Sequence, residues 1–136
     1  VNEKRSPDYS KATLTAVHFW ATWCVPCVDE MPQLDEIHKT FSNKTLLGKK
    51  DLEVIAIAID GRNMSKVKRF MHDKRIDSLK GYLDPTQKMP KAAKLKGLPG
   101  TVFVNRKGEL IARADGPLDW EQEKVQKFLR KHLSGK

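Results

Sequence analysis

Cysteine is scarce in this chain: its 136 residues contain only two. That excludes a small disulfide-stapled scaffold, and a chain of this length buries one hydrophobic core without staples. Long apolar runs are also missing. No stretch approaches the ~18 consecutive apolar residues of a membrane span, and the mean hydropathy is -0.58. Aromatic residues make up only 7%. Even so, patterned apolar runs recur throughout, which excludes a disordered chain. Internal repeats and low-complexity tracts are absent. Acidic residues number 17 against 26 Lys and Arg, giving a net charge of +9. The basic residues are spread over the whole chain with no interleaved aromatic stripe, so no nucleic-acid partner is expected. They read as a solvated basic surface, with a functional basic patch as the alternative.

The apolar pattern orders the chain. Residues 1–11 are polar and aperiodic and read as a flexible tail, with one domain over 12–136. Residues 13–20 (TLTAVHFW) have the β-branched and aromatic character of a strand. A helical pattern follows from Val25 to Phe41, with Leu34, Ile37, His38 and Phe41 on one face and Pro32 predicting a kink near Met31. Residues 43–51 read as a loop. Residues 52–59 (LEVIAIAI) look like a strand buried on both faces. A helix over 65–74, a short strand at Tyr82-Leu83 and a short helix over 91–95 come next. Residues 101–105 and 109–114 form a hairpin through the Arg106-Lys107-Gly108 turn, and a last helix starts from Asp119 as N-cap with Gln122 three residues on. This alternation predicts an α/β fold with a central mixed, mostly parallel sheet flanked by helices.

The chemistry sits in Cys24-Val25-Pro26-Cys27, between the first strand and the first helix. Two intervening residues place both sulfurs in the first helical turn, within bonding reach. The helix N-terminus offers unpaired N–H groups and a partial positive charge there, which favour thiolate over thiol at the first sulfur. This reads as a redox pair with Cys24 the nucleophile and Cys27 the resolving thiol. Pro26 stiffens the turn without costing a helical hydrogen bond. A structural pair and half of a metal site are the alternatives. A tetrahedral zinc site usually needs four ligands, and His18, His38, His72 and His132 are scattered, so no metal is assigned.

The run FWATWCVPC followed by DEMPQL resembles the active-site segment of the thioredoxin superfamily. It is most similar to the TlpA/ResA/CcmG-like thiol–disulfide oxidoreductases. VIAIAID, YLDPTQKMPKAAKLKGLPGTVFVNRKG and the TlpA-like GPLDW extend the likeness over about residues 12–133. The resemblance implies a thioredoxin fold with a βα insertion, and it assigns Cys24 and Cys27 to the redox pair. It implies a cis bond at Leu98–Pro99, with that loop against the disulfide and Leu98 pairing with substrate backbone. Trp23 would lie on the substrate-facing surface and Trp20 beneath it. Glu30 matches the family's helical acid, a solvated helix face being its other reading.

The likeness further implies an extracytoplasmic, periplasmic enzyme that reduces selected protein disulfides, with any anchor upstream of Val1. Apocytochrome c and copper-site assembly proteins are the substrate classes implied. A membrane thiol donor would regenerate the dithiol, and no dissociable cofactor is needed because the two sulfurs carry both electrons. The protein is expected to be monomeric. A copper-binding chaperone on the same fold and a disulfide-donating oxidase are the rival readings. Three positions depart from the family pattern. His18 stands where relatives carry a buried Asp or Asn; it reads either as a core histidine hydrogen-bonded to backbone or as a group titrating near neutral pH that accepts the Cys27 proton. Gly100 replaces a common Thr after the proline. The second strand ends in Asp60-Gly61 where some relatives have a catalytic Glu.

Overall fold

β-branched and apolar residues at strand spacing make the centre of the molecule a sheet. The structure is a computed structural model and describes residues 9–42, 45–46, 49–59, 63–84 and 88–133. After a single turn at Tyr9–Lys11 come β1 (Ala12–Trp20), α1 (Val25–Ser42), β2 (Thr45–Leu46), β3 (Lys49–Ala58) and α2 (Met64–Asp73). Then follow β4 (Lys80–Leu83), α3 (Lys88–Ala92), β5 (Gly100–Asn105), β6 (Leu110–Asp115) and α4 (Glu123–Leu133). The strand order is β2-β3-β1-β5-β6, with β4 also on β3. This is a mixed α/β sheet flanked by helices, the architecture that the resemblance implied.

Its parallel share is smaller than the sequence suggests. β1–β3 and β3–β4 run parallel, whereas β1–β5, β5–β6 and β2–β3 run antiparallel. The β5–β6 hairpin brings β5 in against the direction of β1. Register then sets the working end of the molecule. Trp20 pairs with Ala58, Phe19 with Gly100, and Gly100 with Asp115. The chain leaving β1, the chain leaving β3 and the chain entering β5 therefore emerge side by side.

The period of two divides β1 between two cores. Leu14, Ala16 and Trp20 face a cluster with Cys27, Met31 and Leu34 of α1, Val67 and Met71 of α2, and Val125 and Leu129 of α4. Val17 and Phe19 face the other side, with Ile55, Ile57, Val102 and Val104, covered by Tyr9, Tyr82, Ala93 and Leu95. Residues 52–58 are buried throughout, as a central strand between parallel neighbours requires.

Some boundaries differ from the sequence reading. The stretch taken as a loop over 43–51 contributes β2 and the polar start of β3, because an antiparallel pairing of Thr45 with Lys50 extends the sheet past its apolar part. α1 continues through Pro32 to Ser42 as one helix. α4 starts at Glu123, not beside Asp119. The Asp119 carboxylate instead accepts from the Glu121 N–H at 3.0 Å, and its carbonyl accepts from Gln122, closing a separate turn before the helix.

Candidate active site

The end of β1 delivers the chain to a tight turn. Cys24 N–H donates to the Ala21 carbonyl at 3.1 Å, and the Cys24 carbonyl accepts from Val28 N–H at 3.0 Å. Cys24 is thus the N-cap residue of α1, and Cys27 lies in its first turn. The two are joined in a disulfide, their Cα atoms 5.3 Å apart. The first turn of α1 carries no acidic side chain, so nothing there offsets the positive end of the helix. Pro26 occupies a position whose N–H has no helical acceptor. Cys27 is fully buried, while Cys24 keeps 7% exposure. Beside it, Trp23 and Val25 stand 64% and 69% exposed, an unusual outlay of apolar surface.

The second wall comes from the chain entering β5. The Leu98–Pro99 bond is cis, as the resemblance implied. The Pro99 carbonyl accepts from Gly116 N–H at 2.9 Å. Leu98 is half-buried and packs against the same core cluster as Cys24 and Cys27. A Cβ on Gly100 would lie 2.8 Å from a Leu95 methyl and 3.3 Å from the Gly97 carbonyl oxygen. A side chain at position 100 would therefore need the Leu95 methyls and the Gly97 carbonyl to give way.

His18 and Trp20 point to the α1 side of β1, and both are fully buried. Trp20 lies against Phe70 with ring centroids 5.3 Å apart. His18 Nδ1 is 3.3 Å from Thr101 Oγ1 and 3.8 Å from Glu30 Oε2, while its Nε2 has no hydrogen-bond partner among the described residues. Burial holds the imidazole pKa down at about 3. In the disulfide state burial therefore favours the neutral imidazole.

Glu30 is not on a solvated face. It is 6% exposed, and its carboxylate accepts from Trp120 Nε1 at 3.0 Å and from Leu118 N–H at 3.2 Å. Burial raises its pKa, and those two hydrogen bonds lower it by less. The acid ties the 118–120 segment to α1, helped by Gln33, whose Oε1 accepts from Trp120 N–H at 3.0 Å. The sequence carried the signal: Glu30 is three residues after Cys27 and four before Leu34, inside the buried stripe. Trp120 and Thr101, which complete this interior cluster, had no assigned role.

Other candidates lie elsewhere. His38 joins Ser78 at 2.7 Å and Glu53 at 3.8 Å under the far part of α1. Asp60 falls outside the described residues. Among the described residues no group of three or more His, Cys, Asp or Glu side chains converges to hold a metal ion. No helix among them is long and apolar enough to cross a membrane.

Known proteins place this arrangement. A sporulation thiol-disulfide oxidoreductase A from Bacillus subtilis is 25% identical over 115 residues, covering 85% of this chain and 67% of that protein. Thiol-disulfide oxidoreductase ResA from Bacillus thuringiensis is also 25% identical over 115 residues, covering 85% of this chain and 61% of ResA. The chain thus spans about two thirds or less of these relatives' lengths. A solved thiol-disulfide isomerase from Corynebacterium glutamicum superposes with a TM-score of 0.77 at 20% identity, covering 98% of this chain and 89% of that one. The family model described as Redoxin matches residues 5–129. The chain belongs to the Redoxin family.

Proposed function

We propose that the chain reduces selected protein disulfides outside the cytoplasm by dithiol–disulfide exchange through Cys24 and Cys27. The observation that carries this is the disulfide at the uncompensated N-terminus of α1, with its outer sulfur beside exposed apolar side chains. In the reduced protein the Cys24 thiolate attacks one sulfur of a substrate disulfide. The substrate S–S bond breaks, its other sulfur leaves as a thiolate and takes a proton, and Cys24 is held in a mixed disulfide. Cys27 then loses its proton and attacks the Cys24 sulfur. The second substrate thiolate departs, and the Cys24–Cys27 disulfide forms. Two electrons have passed to the substrate, and both came from the two sulfurs, so no dissociable cofactor enters.

The Cys27 proton needs an acceptor. His18, held at about 3, is too weak a base in its present surroundings. Glu30, with its pKa raised by burial and one helical turn after Cys27, matches the task better, and His18 positions it. Trp23 and Leu98 receive the substrate chain, and Pro26 and Pro99 shape the turn and the opposing loop. The TlpA/ResA/CcmG-like resemblance supports apocytochrome c or copper-site assembly proteins as substrates, a membrane thiol donor as the reductant, periplasmic placement and a monomeric state.

The test is a turnover assay with a protein disulfide after reduction of the enzyme, combined with alkylation. Cys24 should react with iodoacetamide much faster than Cys27, because only Cys24 reaches solvent. Equal rates at both cysteines would defeat the assignment.

A further inference from the structure

Two segments at the working end of the molecule carry exposed basic side chains. α2 spends its apolar side, Val67 and Met71, on the core cluster that holds Cys24 and Cys27. Phe70 of the same helix meets Trp20, directly ahead of the redox turn. The outer side of α2 presents exposed Lys66, Lys68 and Arg69, and its acid, Asp73, comes only in the last turn. The chain entering Pro99 adds exposed Lys94 and Lys96. Because Trp20 pairs with Ala58 and Phe19 with Gly100, both basic segments flank the turn that exposes Trp23 and Val25. The acids among the described residues at this end are Asp29 on α1, Asp84 buried directly after β4, Asp115 beside Lys96, and Asp119 and Glu121 before α4. Asp115 accepts from Lys96 N–H at 3.0 Å and Asp119 from Glu121 N–H at 3.0 Å.

We propose that this end is a docking surface for an acidic protein segment. Apolar side chains beside the partner's cysteine rest on Trp23 and Val25, and its carboxylates face Lys66, Arg69, Lys94 and Lys96. This rests on the disulfide-exchange reading above and narrows its substrate class. The physical basis is complementarity: like charges next to a +9 protein are repelled, while an acidic segment is drawn toward the flank nearest the reacting sulfur. Basic residues elsewhere, such as Lys107 in the β5–β6 turn and Arg130 late in α4, belong to the opposite end of the sheet and would not orient a substrate on Cys24.

The experiment uses the reduced chain and two disulfide-linked peptides with the same apolar–cysteine centre, one flanked by Glu and one by Lys. At low salt the acidic peptide should be reduced ~10-fold or more faster, and near-molar salt should erase the difference. Lys66→Glu combined with Arg69→Glu should remove or invert the preference. Lys107→Glu combined with Arg130→Glu changes net charge equally and should keep it. Equal rates for the two peptides in the unaltered protein would overturn the proposal, as would equal loss in the two double variants. Binding to anionic phospholipid vesicles without any peptide preference would assign the surface to a membrane and overturn it too. Neutral hydroxyethyl disulfide separates the levels of the argument. If it is reduced while the peptides show no preference, only the docking surface is wrong. If neither it nor any peptide is reduced, disulfide exchange itself is wrong.

Discussion

Glu30 Oε2 lies 3.8 Å from His18 Nδ1 in the interior of the protein, behind the redox turn. The two groups could form an ion pair, but burial works against it from both sides. It raises the Glu30 pKa and holds His18 at about 3. Near neutral pH the imidazole is uncharged. The cluster joins β1, α1, β5 and the segment before α4, and each link is measurable.

His18 makes stability depend on pH. In the unfolded chain it takes up a proton as pH falls through 6.5, while the folded chain refuses that proton until about 3. Its contribution is therefore complete above pH 6.5 and is lost as pH falls toward 3, with a slope of up to about 1.4 kcal/mol per pH unit. His18→Asn should flatten that slope. Urea unfolding of both proteins across this range measures it, and parallel stability–pH curves would show that His18 is not held neutral.

Trp120 holds Glu30 through its indole N–H at 3.0 Å. Trp120→Phe keeps most of the ring packing against Phe103 but removes the donor. The expected loss is about 1.5–3 kcal/mol, as for other hydrogen bonds to charged groups. In a Glu30→Gln background the same change should cost measurably less, because the two side chains are coupled. Additive losses in the double-mutant cycle would mean the bond contributes nothing.

Glu30→Gln also tests the proton route. The first attack by Cys24 should keep its rate, while resolution of the mixed disulfide slows by about 100-fold or more, the scale of general-base catalysis. Stopped-flow mixing followed by acid quench separates the two phases. An unchanged resolution rate would move the proton acceptor elsewhere.

Gly100→Thr introduces the residue common in relatives into a site whose Cβ would meet Leu95 at 2.8 Å. Crowding of this kind typically costs about 1–3 kcal/mol. Leu95→Ala should recover part of the loss caused by Gly100→Thr, because it removes the methyls nearest the new Cβ. Thermal unfolding of the single and double variants gives the answer. A Gly100→Thr protein as stable as the parent would show that the 95–100 loop has room to spare.

What the sequence disclosed follows from physics of short range. The apolar run of β3, the strand–turn–helix setting of Cys24 and Cys27 and the buried stripe of α1 are all patterns within a few residues. The resemblance added Pro99 and its cis bond. The start of β3 was missed because Lys49, Lys50 and Asp51 are polar and join the sheet only through pairing across to β1 and β2. Between the two readings of Glu30, the family's helical acid and a solvated face, the sequence alone could not choose, because its donors, Trp120 and Leu118, come from about 90 residues away in the chain. The Asp119 signal was real, but it closes a turn before α4 instead of capping it. Antiparallel pairing of β5 with β1 is a choice of topology that no local pattern records.

Capture of the exchange intermediate tests the central claim most directly. Cys27→Ser leaves Cys24 able to attack but removes the sulfur that releases the product. Incubated with a disulfide-containing protein substrate and analysed without reductant, this variant should accumulate a covalent adduct joined through Cys24 that dithiothreitol dissolves. Cys24→Ser should form none. No adduct with Cys27→Ser, or adducts formed equally through Cys27 in Cys24→Ser, would contradict the account.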